Sequence, residues 1–498
     1  MSYFVGVDLG GTVVKASVFD ENGAELGTAG RRTRLISDVP GQAERSIEET
    51  RVLTLEAVRD AIEISRVDPK SIAAVGTTGH GKGGYFFDVE GSPFLGIVST
   101  DTRSIEVSNR LLAAEDFDRA IYDRILQPLW PAHTATILTW LKESQRETYD
   151  NIGTLLFAKD VLRYILTDEL ATEKTDISGS GLWNNRTGGV DEAVLARLGI
   201  EEIRNAVPEV LESQQVAGHV TARVASDTGL LEGTPVVGGL FDVTGAALAT
   251  GVRESDELAA VVGTWAIAEF VSADVSAVLE ADGRHVVQAH CVPGQWMVHE
   301  ASPTSASNLE WFTQALLPDI PEEERFDYCN DVVSRTAETG VTFFPFIFGD
   351  DLGANASGTF WGLRAGTGRD EMIRAVYEGI VFQQARHLNT LLDILPPPKR
   401  VRFAGGATRS RIWMQMFADV LELPVTVSPA TELGALGAAI TAAVGVGAYS
   451  DFNAAMDAMT GIRDTYEPDY THGEPLREKQ KRFDAAVHDM VEIWRRYA

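Results

Sequence analysis

The chain has 498 residues, of which 44% are hydrophobic and 23% charged, and its formal net charge at pH 7 is −29. A surface this negative repels phosphate backbones and anionic lipids, which argues against nucleic-acid and membrane partners. The two cysteines, Cys291 and Cys329, are too few and too far apart for a disulfide scaffold or a metal knuckle. They indicate buried thiols in a reducing cytoplasm.

The N-terminal stretch MSYFVGVDLGG has no basic region and no cleavage site, so no signal peptide is predicted. The most apolar late stretch, 433–446, is shorter than the roughly 20 residues that span a bilayer. We therefore expect a soluble cytoplasmic protein of about three average domains or two large ones.

Hydrophobic periodicity and turn residues predict the elements of the first half. A capping box, Ser46-Ile-Glu-Glu49, starts the first helix. The predicted strands are 5–9, 13–19, 72–75, 84–88 and 235–239. The predicted helices are 46–64, 134–143, 159–166 and 243–250.

The second half repeats the opening pattern of strand, glycine turn and strand, which favours a duplicated architecture. Its predicted strands are 257–262, 266–271, 342–346 and 400–404, and its predicted helices are 370–389, 410–421, 432–444 and 476–497. Segment 464–475 is predicted to be a loop. Alternating strands and helices indicate α/β layers.

A strand that ends in Asp8 is followed by Gly10, Gly11 and Thr12. Glycines let backbone amides approach a ligand closely, so this turn can cradle a phosphate while the acid holds Mg²⁺. The alternative is a hairpin turn with an unrelated aspartate, and the motif alone does not decide between them.

Asp242 is the one acid in the apolar stretch 237–245, between a predicted buried strand and a helix. It is interpreted either as a helix N-cap or as a general base held within reach of a hydroxyl proton. A third glycine turn, 403–410, leads from a strand into a helix, where a nucleotide can lie against the backbone. An ordinary strand-to-helix turn is the alternative there.

Residues 76–82 have the G-x-x-x-x-G-K spacing of a phosphate loop. That loop needs Ser or Thr after its lysine and then a helix, but Gly83 and a predicted strand follow here. We therefore reject this interpretation. The open loop carries His80 and Lys82, which could bind the hydroxyls of a neutral polyol, whereas a glycine-rich surface turn with a solvated lysine is the alternative.

Together these residues resemble the FGGY family of carbohydrate kinases, in the sugar kinase/actin/Hsp70 superfamily. The motifs occur in family order from about Phe4 to Ala448, and they include 357–363 (SGTFWGL), 374–379 (RAVYEG) and the 405–419 segment. The resemblance implies an α/β fold of two actin-like (ribonuclease H-like) domains with an interdomain cleft. The predicted domains are 1–250 for sugar binding and the base, 251–448 for ATP, and 449–498 as a helical extension.

The resemblance also implies roles for individual residues. Asp242 would be the catalytic base, and Asp8 and Asp242 would hold Mg²⁺. The sugar would be bound by Gly79, His80, Lys82, Asp101, Arg103 and Asp242. Lys82 stays open between substrate, phosphate and solvent. ATP would be bound by Gly10, Gly11, Thr12, Lys15, Gly263, Thr264, Gly405, Gly406 and Ser410.

Segments 78–83, 238–243, 263–266 and 299–305 are most similar to the L-xylulose kinase branch of the family. Ile137, where the family commonly has lysine, and Gly349-Asp-Asp351, where it has Gly-Glu-Arg, differ from glycerol kinase and ordinary D-xylulokinase. The implied reaction is ATP- and Mg²⁺-dependent phosphorylation of a ketopentose at its terminal hydroxyl, with L-xylulose 5-phosphate as the product. A homodimer is expected as the commonest oligomer.

Other functions stay open at this stage. Within the family they are D-xylulokinase, ribulokinase and a polyol or keto-sugar-acid kinase. A non-enzymatic sugar sensor and an actin- or Hsp70-like ATPase are the alternatives from other classes.

Overall fold

The fold was analysed in a computed structural model, which describes residues 2–114, 117–253, 256–263, 265–281, 285–336, 338–349, 352, 355–394 and 398–497. The chain forms two compact units, and each consists of three segments. The first unit contains Met1–Arg253, Val271–Val298 and Ala430–Gly461. The second contains Glu254–Phe270, His299–Pro429 and Ile462–Ala498.

The strands of the described chain are, in order, β1 (Tyr3–Leu9), β2 (Val13–Asp20), β3 (Glu25–Arg32), β4 (Ile72–Gly79), β5 (Gly84–Phe87), β6 (Pro93–Ile97), β7 (Thr154–Leu156), β8 (Thr172–Glu173), β9 (Val210–Leu211), β10 (Val216–His219), β11 (Pro235–Val237), β12 (Leu240–Phe241), β13 (Glu257–Val262), β14 (Ala266–Ser272), β15 (Val286–Ala289), β16 (Trp296–Ser302), β17 (Thr342–Phe344), β18 (Thr359–Trp361), β19 (Arg400–Ala404), β20 (Val425–Val427) and β21 (Asp464–Tyr466).

The helices of the same residues are α1 (Ile47–Ser65), α2 (Ile105–Leu112), α3 (Phe117–Ile125), α4 (Thr134–Ser144), α5 (Arg146–Asp150), α6 (Ala158–Thr167), α7 (Lys174–Ile177), α8 (Glu192–Leu198), α9 (Ala222–Thr228), α10 (Asp242–Thr250), α11 (Ser276–Glu280), α12 (Ser307–Leu316), α13 (Arg325–Arg335), α14 (Arg369–Leu392), α15 (Arg411–Leu421), α16 (Leu433–Gly445), α17 (Phe452–Met459) and α18 (Glu474–Tyr497). Short 3₁₀ turns lie at Pro69–Ser71, Glu201–Ala206, Glu322–Glu324 and Gly406–Arg409.

The main sheet of the first unit has the strand order β10-β11-β4-β1-β2-β3, with β12 also paired to β4. Strands β1 and β12 both run parallel to β4, whereas β2 is antiparallel to β1. In this register Asp8 lies beside Thr78, and Thr78 lies beside Leu240. The carboxyl ends of β1, β4 and β12 therefore meet at one edge, where ligands bind in open α/β sheets.

Both faces of β1 are covered, which explains its almost continuous run of apolar residues. Val5, Val7 and Leu9 join one core with residues of α1 and α6. Phe4 joins a second core that includes residues of α10 and α16. The sheet is thus held between two layers of helices.

Glycines in β1 and β4 allow α16 to approach the sheet closely. A Cβ atom on Gly6 would lie 1.8 Å from the carbonyl oxygen of Ala435, and one on Gly76 would lie 2.0 Å from that of Ala438. Any side chain at either position would collide with helix backbone, which cannot swing aside as a flexible side chain can.

In the second unit β14, β13, β19, β20 and β21 lie side by side in that order. Strands β13, β19 and β20 are parallel, with β21 antiparallel at the edge. Helix α14 packs against α15, and the rings of Tyr377 and Trp413 lie 4.6 Å apart there. The loop after β19 begins with Gly405, whose φ of +95° favours glycine.

The predicted strands and helices are present, with ends shifted by a few residues. Ser46 accepts a hydrogen bond from the amide of Glu49, as an N-cap should. A strand, β5, follows Lys82, which confirms the rejection of the phosphate-loop interpretation. Both cysteines are buried and free.

Four predicted bounds were wrong. The strand expected at 72–75 continues to Gly79, so residues 76–79 of the expected open loop belong to β4. Segment 464–475 was expected to be a loop, but it begins with β21, which completes the hydrogen bonding of β20. The strand expected at 235–239 ends at Val237, because Gly239 turns the chain at a φ of +83° before β12 begins. The strand expected at 342–346 ends at Phe344. The domain boundaries at residues 250 and 448 stay a prediction.

Among the described residues, no helix has both the length and the apolar character that a bilayer crossing requires.

We expect Gly6→Ala and Gly76→Ala each to destabilise the protein by at least 1–3 kcal/mol, roughly the cost of overpacking a core. Thermal unfolding of each variant measures the effect. Gly366→Ala is the control, since a Cβ there would meet nothing within 4 Å. Equal midpoints of thermal unfolding for all three variants would contradict the close approach of α16 to β1 and β4.

Candidate active site

Asp8 lies at the end of β1 with one carboxylate oxygen, Oδ1, buried and without a hydrogen-bond partner. Burial raises the pKa of Asp8 to about 7, Lys15 opposes this, and Glu432 adds to it. The start of α16 also packs closely against this carboxylate, since a Cβ on Gly434 would lie 2.5 Å from Oδ2 of Asp8. Asp8 is therefore a hard oxygen ligand held in a poorly solvated place.

Asp242 is the first residue of α10, directly after β12. Burial raises the pKa of its carboxyl well above the ordinary value, and the nearby charges of Asp8 and Asp176 raise it further. The amide of Val243 and the ammonium of Lys82 act in the opposite direction. A carboxylate with a raised pKa is a suitable general base for a hydroxyl proton.

A buried arginine fixes the turn at Gly10 and Gly11. Arg45 donates hydrogen bonds to the carbonyl oxygens of Gly10 (3.1 Å) and Gly11 (2.6 Å). A Cβ on Gly11 would meet nothing within 4 Å, so the space around this turn is open. Thr12 is exposed beside it. With its carbonyls held by Arg45, the turn can present amides to an anion.

His80 is linked to the same arginine through Tyr85. Nε2 of His80 lies 3.1 Å from the Tyr85 hydroxyl, which accepts a hydrogen bond of 3.3 Å from Arg45. Burial, with a smaller effect from the charge of Arg45, lowers the pKa of His80 to about 3. The imidazole is therefore neutral at physiological pH, and its Nε2 is occupied by Tyr85.

Lys82 is buried, with 6% of its surface exposed, and its Nζ has no hydrogen-bond partner. Nζ lies over the rings of Trp130 and Phe241, 5.2 and 5.4 Å from their centroids. Burial lowers the pKa of Lys82 to about 8, while Asp176 and Asp242 raise it. Lys82 also has a φ of +64°, an uncommon conformation for a residue with a side chain.

Asp176, on α7, is a further buried carboxylate of this region, and neither of its oxygens has a hydrogen-bond partner. Burial raises its pKa to about 7, partly offset by Lys159, whose Nζ lies 3.5 Å away. Lys159 is itself bonded to Asp160 at 2.7 Å. Thr175 fixes α7 against β12, since its hydroxyl accepts a 2.9 Å hydrogen bond from the amide of Phe241.

Four other predicted residues have partners within the protein. Asp101 and Arg103 form a buried ion pair at 2.9 Å, and Arg103 also pairs with Glu44. Lys15 is ion-paired with Glu432 at 2.8 Å. Gly79 lies at the end of β4, where a Cβ would sit 3.0 Å from the amide nitrogen of Lys159. Its position therefore fits close packing of β4 against α6.

The second unit contains a cavity of about 480 Å³. Its lining includes Gly263, Gly406 and Ser410 from the predicted ATP residues. It also includes Tyr377, Trp413, Asn330, Phe326, Asp327 and Glu310. A cavity of this size with aromatic walls and a few polar groups is typical of a small-molecule site.

Asn330 connects three walls of this cavity. Its Oδ1 accepts hydrogen bonds from the hydroxyls of Ser410 (2.5 Å) and Tyr377 (3.0 Å). Ser410 also caps α15 by accepting from the amide of Trp413. Since Oδ1 is occupied, the amide NH₂ is the group that Asn330 can offer to a ligand.

Gly263 directly follows β13, and Gly405 and Gly406 directly follow β19. Gly263 accepts a hydrogen bond from the amide of Ala306 through its carbonyl oxygen. Gly405 packs under the carbonyl of Val262, whereas Gly406 is open on its Cβ side. Thr264 lies outside the described residues.

Five residues that the structure places in these regions were not predicted. They are Arg45, Trp130, Asp176, Asn330 and Gln288, whose side-chain oxygen lies with Nζ of Lys82 around Gly179. Asp176 had a weak sequence signal, since an acid precedes the small-residue run Ser178-Gly-Ser-Gly181. The others are isolated in sequence, and each meets the residues of its site only through the fold.

The first unit thus holds an acid at the end of β1, an acid directly after β12, an open glycine turn and a buried lysine. Because neighbouring strands are about 4.8 Å apart, acids at the ends of β1 and β12, two strands apart, can flank a transferring phosphoryl group. No group of three potential metal ligands occurs among the described residues. A cation here would need oxygens from its substrate besides Asp8 and Asp242.

Two family models match the chain. The N-terminal domain of the FGGY family of carbohydrate kinases matches residues 3–249, and the C-terminal domain of that family matches residues 258–446. Together they cover most of the chain.

Two curated relatives are similar over nearly the whole length. L-xylulose/3-keto-L-gulonate kinase of Escherichia coli is 36% identical, covering 97% of this chain and 96% of its own. Probable L-xylulose kinase of Pasteurella multocida is 36% identical, covering 91% of this chain and 92% of its own. Ligand-bound xylulose kinase of Lactobacillus acidophilus shares the fold, with a TM-score of 0.91 at 20% identity over 100% of both chains.

We expect Asp176→Asn to stabilise the protein more at pH 8 than at pH 5. The folded protein raises the pKa of Asp176 to about 7 from its ordinary 3.8. Between those pH values the folded state binds the extra proton, so the contribution of Asp176 to folding stability falls as pH rises. Asparagine cannot ionise. The free energy of unfolding that the variant gains over wild type should therefore grow up to about pH 7 and reach roughly a few kcal/mol.

The midpoint of thermal unfolding at both pH values measures this gain. Asp227→Asn, at an exposed position of α9, is the matched control. The same gain at pH 5 and pH 8 for Asp176→Asn would show that its carboxyl is not perturbed.

Proposed function

We propose that this chain, which belongs to the FGGY family of carbohydrate kinases and is an ATP-dependent sugar kinase, phosphorylates L-xylulose at its terminal hydroxyl to give L-xylulose 5-phosphate. The choice of sugar is supported by the 36% identity to the Escherichia coli enzyme that is named for L-xylulose and 3-keto-L-gulonate. The observation that carries the proposed chemistry is the poorly solvated carboxylate of Asp242, at the start of α10 and near Lys82.

Asp242 acts as the general base in this proposal. Its carboxylate takes the proton of the terminal hydroxyl while that oxygen forms a bond to the γ-phosphorus of ATP. The bond from the γ-phosphorus to the bridging oxygen breaks, and ADP leaves with the electron pair. Phosphoryl transfer depends mainly on positioning and charge compensation, so a single well-placed base is sufficient.

Asp8 and Asp242 would hold Mg²⁺, which supplies positive charge to the phosphates of ATP when bound. The free, buried Oδ1 of Asp8 fits this role, because Mg²⁺ prefers oxygen ligands and commonly uses one or two carboxylates together with substrate phosphates. Lys15 is close enough to Asp8 to lower its pKa, which supports a role in keeping this carboxylate ionised.

The glycine turns would bind the phosphates, and the cavity of the second unit would bind the adenosine. Gly10, Gly11 and Thr12 are assigned to one phosphate group, and Gly263 and Thr264 to the other. Gly405, Gly406 and Ser410 would contact the nucleoside, with the aromatic walls of Tyr377 and Trp413 nearby. Backbone amides and flat apolar walls together suit a nucleotide.

The sugar would lie against the β4–β5 loop. Lys82 has an unused ammonium there, whereas His80, Asp101 and Arg103 would shape the site through their bonds to Tyr85, Glu44 and each other. Gly79 would let this loop pack closely. We expect the enzyme to act in the cytoplasm and to form a homodimer, in line with the general preference for twofold assemblies.

Asp242→Asn should lower kcat for L-xylulose by at least about 100-fold, since general-base catalysis typically contributes 10²–10⁴-fold. ADP release in the presence of the sugar measures the effect. Without sugar, the wild-type protein should release little ADP, as expected for a kinase and not for an actin- or Hsp70-like ATPase. Near-normal turnover of the variant would contradict the assignment of the base.

Asn330→Ala should raise the KM for ATP by about 10-fold and leave the KM for the sugar unchanged. The variant removes the acceptor of the Ser410 and Tyr377 hydroxyls, and losing a buried hydrogen-bond partner costs about 1–3 kcal/mol. Initial rates with each substrate varied in turn separate the two constants. An effect on the sugar alone would place the nucleotide elsewhere.

A further inference from the structure

We infer that Lys82, Asp176 and Gln288 form a subsite for the hydroxyl-bearing end of an uncharged ketose, remote from the hydroxyl that accepts the phosphoryl group. This inference rests on the proposed function and extends it, because it selects a neutral sugar over a sugar acid. In this subsite Gln288 and Asp176 are specificity-determining residues, and Lys82 contributes the ammonium group.

Two side chains, those of Lys82 and Gln288, and one backbone oxygen surround Gly179. A Cβ placed on Gly179 would lie 2.9 Å from Nζ of Lys82, 3.0 Å from Oε1 of Gln288 and 3.4 Å from the backbone oxygen of Asp176. Glycine therefore keeps a small space free between an ammonium group and an amide. Any larger residue would fill that space with carbon.

The polar side chains of the cluster are buried, and most of their hydrogen bonds are unmade. Gln288 is 0% exposed and neither atom of its amide has a hydrogen-bond partner. Nζ of Lys82 has none either, and the carboxylate of Asp176 accepts no hydrogen bond, although Nζ of Lys159 lies 3.5 Å from it. Buried polar groups nearly always have hydrogen-bond partners in folded proteins, because an unmet bond costs free energy. Two unmet side-chain groups around one space, with the carboxylate of Asp176 near Lys82, indicate that a ligand completes them.

The cluster is firmly built. Gln288 lies on β15, and the next residue, Ala289, donates a 3.1 Å hydrogen bond from its amide to the hydroxyl of Ser178. Ser178 directly precedes Gly179. On the other side, Thr175 bonds α7 to Phe241 of β12. These bonds hold the donors and acceptors in place before any ligand arrives.

Asp242 connects this cluster to the phosphoryl-transfer residues, because it directly follows Phe241. The amide of Phe241 is bonded to Thr175 of α7, and Nζ of Lys82 lies over its ring. A sugar whose accepting hydroxyl meets Asp242 can therefore extend away from Asp8 toward Gly179. The rings of Trp130 and Phe241, over which Nζ of Lys82 lies, give this path apolar walls for the carbon-bound hydrogens of the sugar.

The charges of the cluster favour a neutral ligand. Lys82 already has two acids nearby, Asp176 and Asp242. The neighbouring Lys159 is bonded to Asp160. A sugar carboxylate would add another negative charge to a buried region that has more acids than free cations. An ammonium, an amide and a carboxylate instead supply the mixture of donors and acceptors that hydroxyl groups require.

The test compares L-xylulose with 1-deoxy-L-xylulose, which lacks the hydroxyl at the remote end. For the wild-type enzyme we expect kcat/KM to be about 10- to 100-fold lower with the deoxy sugar, the effect of losing hydrogen bonds to buried groups. Gln288→Leu and Lys82→Met should each lower kcat/KM for L-xylulose by a similar factor, mainly through KM. On the deoxy sugar each variant should lose less than about 3-fold.

Gln384→Leu is the matched control, because Gln384 is also a buried glutamine whose amide has no partner, but lies on α14 of the second unit. It should not distinguish the two sugars. Equal losses on both sugars for Gln288→Leu and Lys82→Met would overturn the subsite. Wild-type kcat/KM higher for 3-keto-L-gulonate than for L-xylulose would overturn its preference for a neutral ligand.

The proposed function and the subsite can be disproved separately. If the wild-type enzyme phosphorylates no ketopentose, the proposed function is wrong. If it phosphorylates L-xylulose and the variants do not discriminate the deoxy sugar, only the subsite is wrong. Circular dichroism of each variant shows whether it is folded, and Asp176→Asn provides a second, nearly isosteric variant with the same expected discrimination.

Discussion

The placement of carboxylates in poorly solvated positions of the first unit is the constraint on which the proposed site depends. Asp8, Asp176 and Asp242 all have pKa values raised mainly by burial. Water would solvate these groups better, so their arrangement costs folding free energy that the two surrounding cores must supply. Carboxylates kept in this state are strong oxygen ligands and capable bases, which is what a kinase needs at the transferring phosphoryl group.

The close approach of α16 makes that burial possible. Glycines in β1 and β4 let the helix lie against the sheet, and Gly434 at its start leaves just enough room for the carboxylate of Asp8. The same packing excludes water from Asp8 on that side. Stability and function are therefore linked through a few positions where a single methyl group does not fit.

Arg45 joins two parts that the sequence presents separately. It holds the carbonyls of the glycine turn and, through Tyr85, the ring of His80. The proposed phosphate turn and the sugar loop thus share one rigid support. An arginine suits this place because its planar group donates several hydrogen bonds in fixed directions.

The sequence by itself determined the family, the glycine turns and the two acids Asp8 and Asp242, because these depend on local patterns of strand, turn and helix. It also predicted that a strand follows Lys82, since the residues after it are β-forming. Only the tertiary structure placed Asp176, Gln288 and Gly179 beside Lys82 and connected Arg45 to the glycine turn. Those contacts join residues that are 34 to more than 100 positions apart in the sequence. Local periodicity cannot indicate contacts at such separations. The tertiary structure also determined the ion-pair partners of Asp101, Arg103 and Lys15. Charged side chains pair only when the fold makes their strands and loops neighbours.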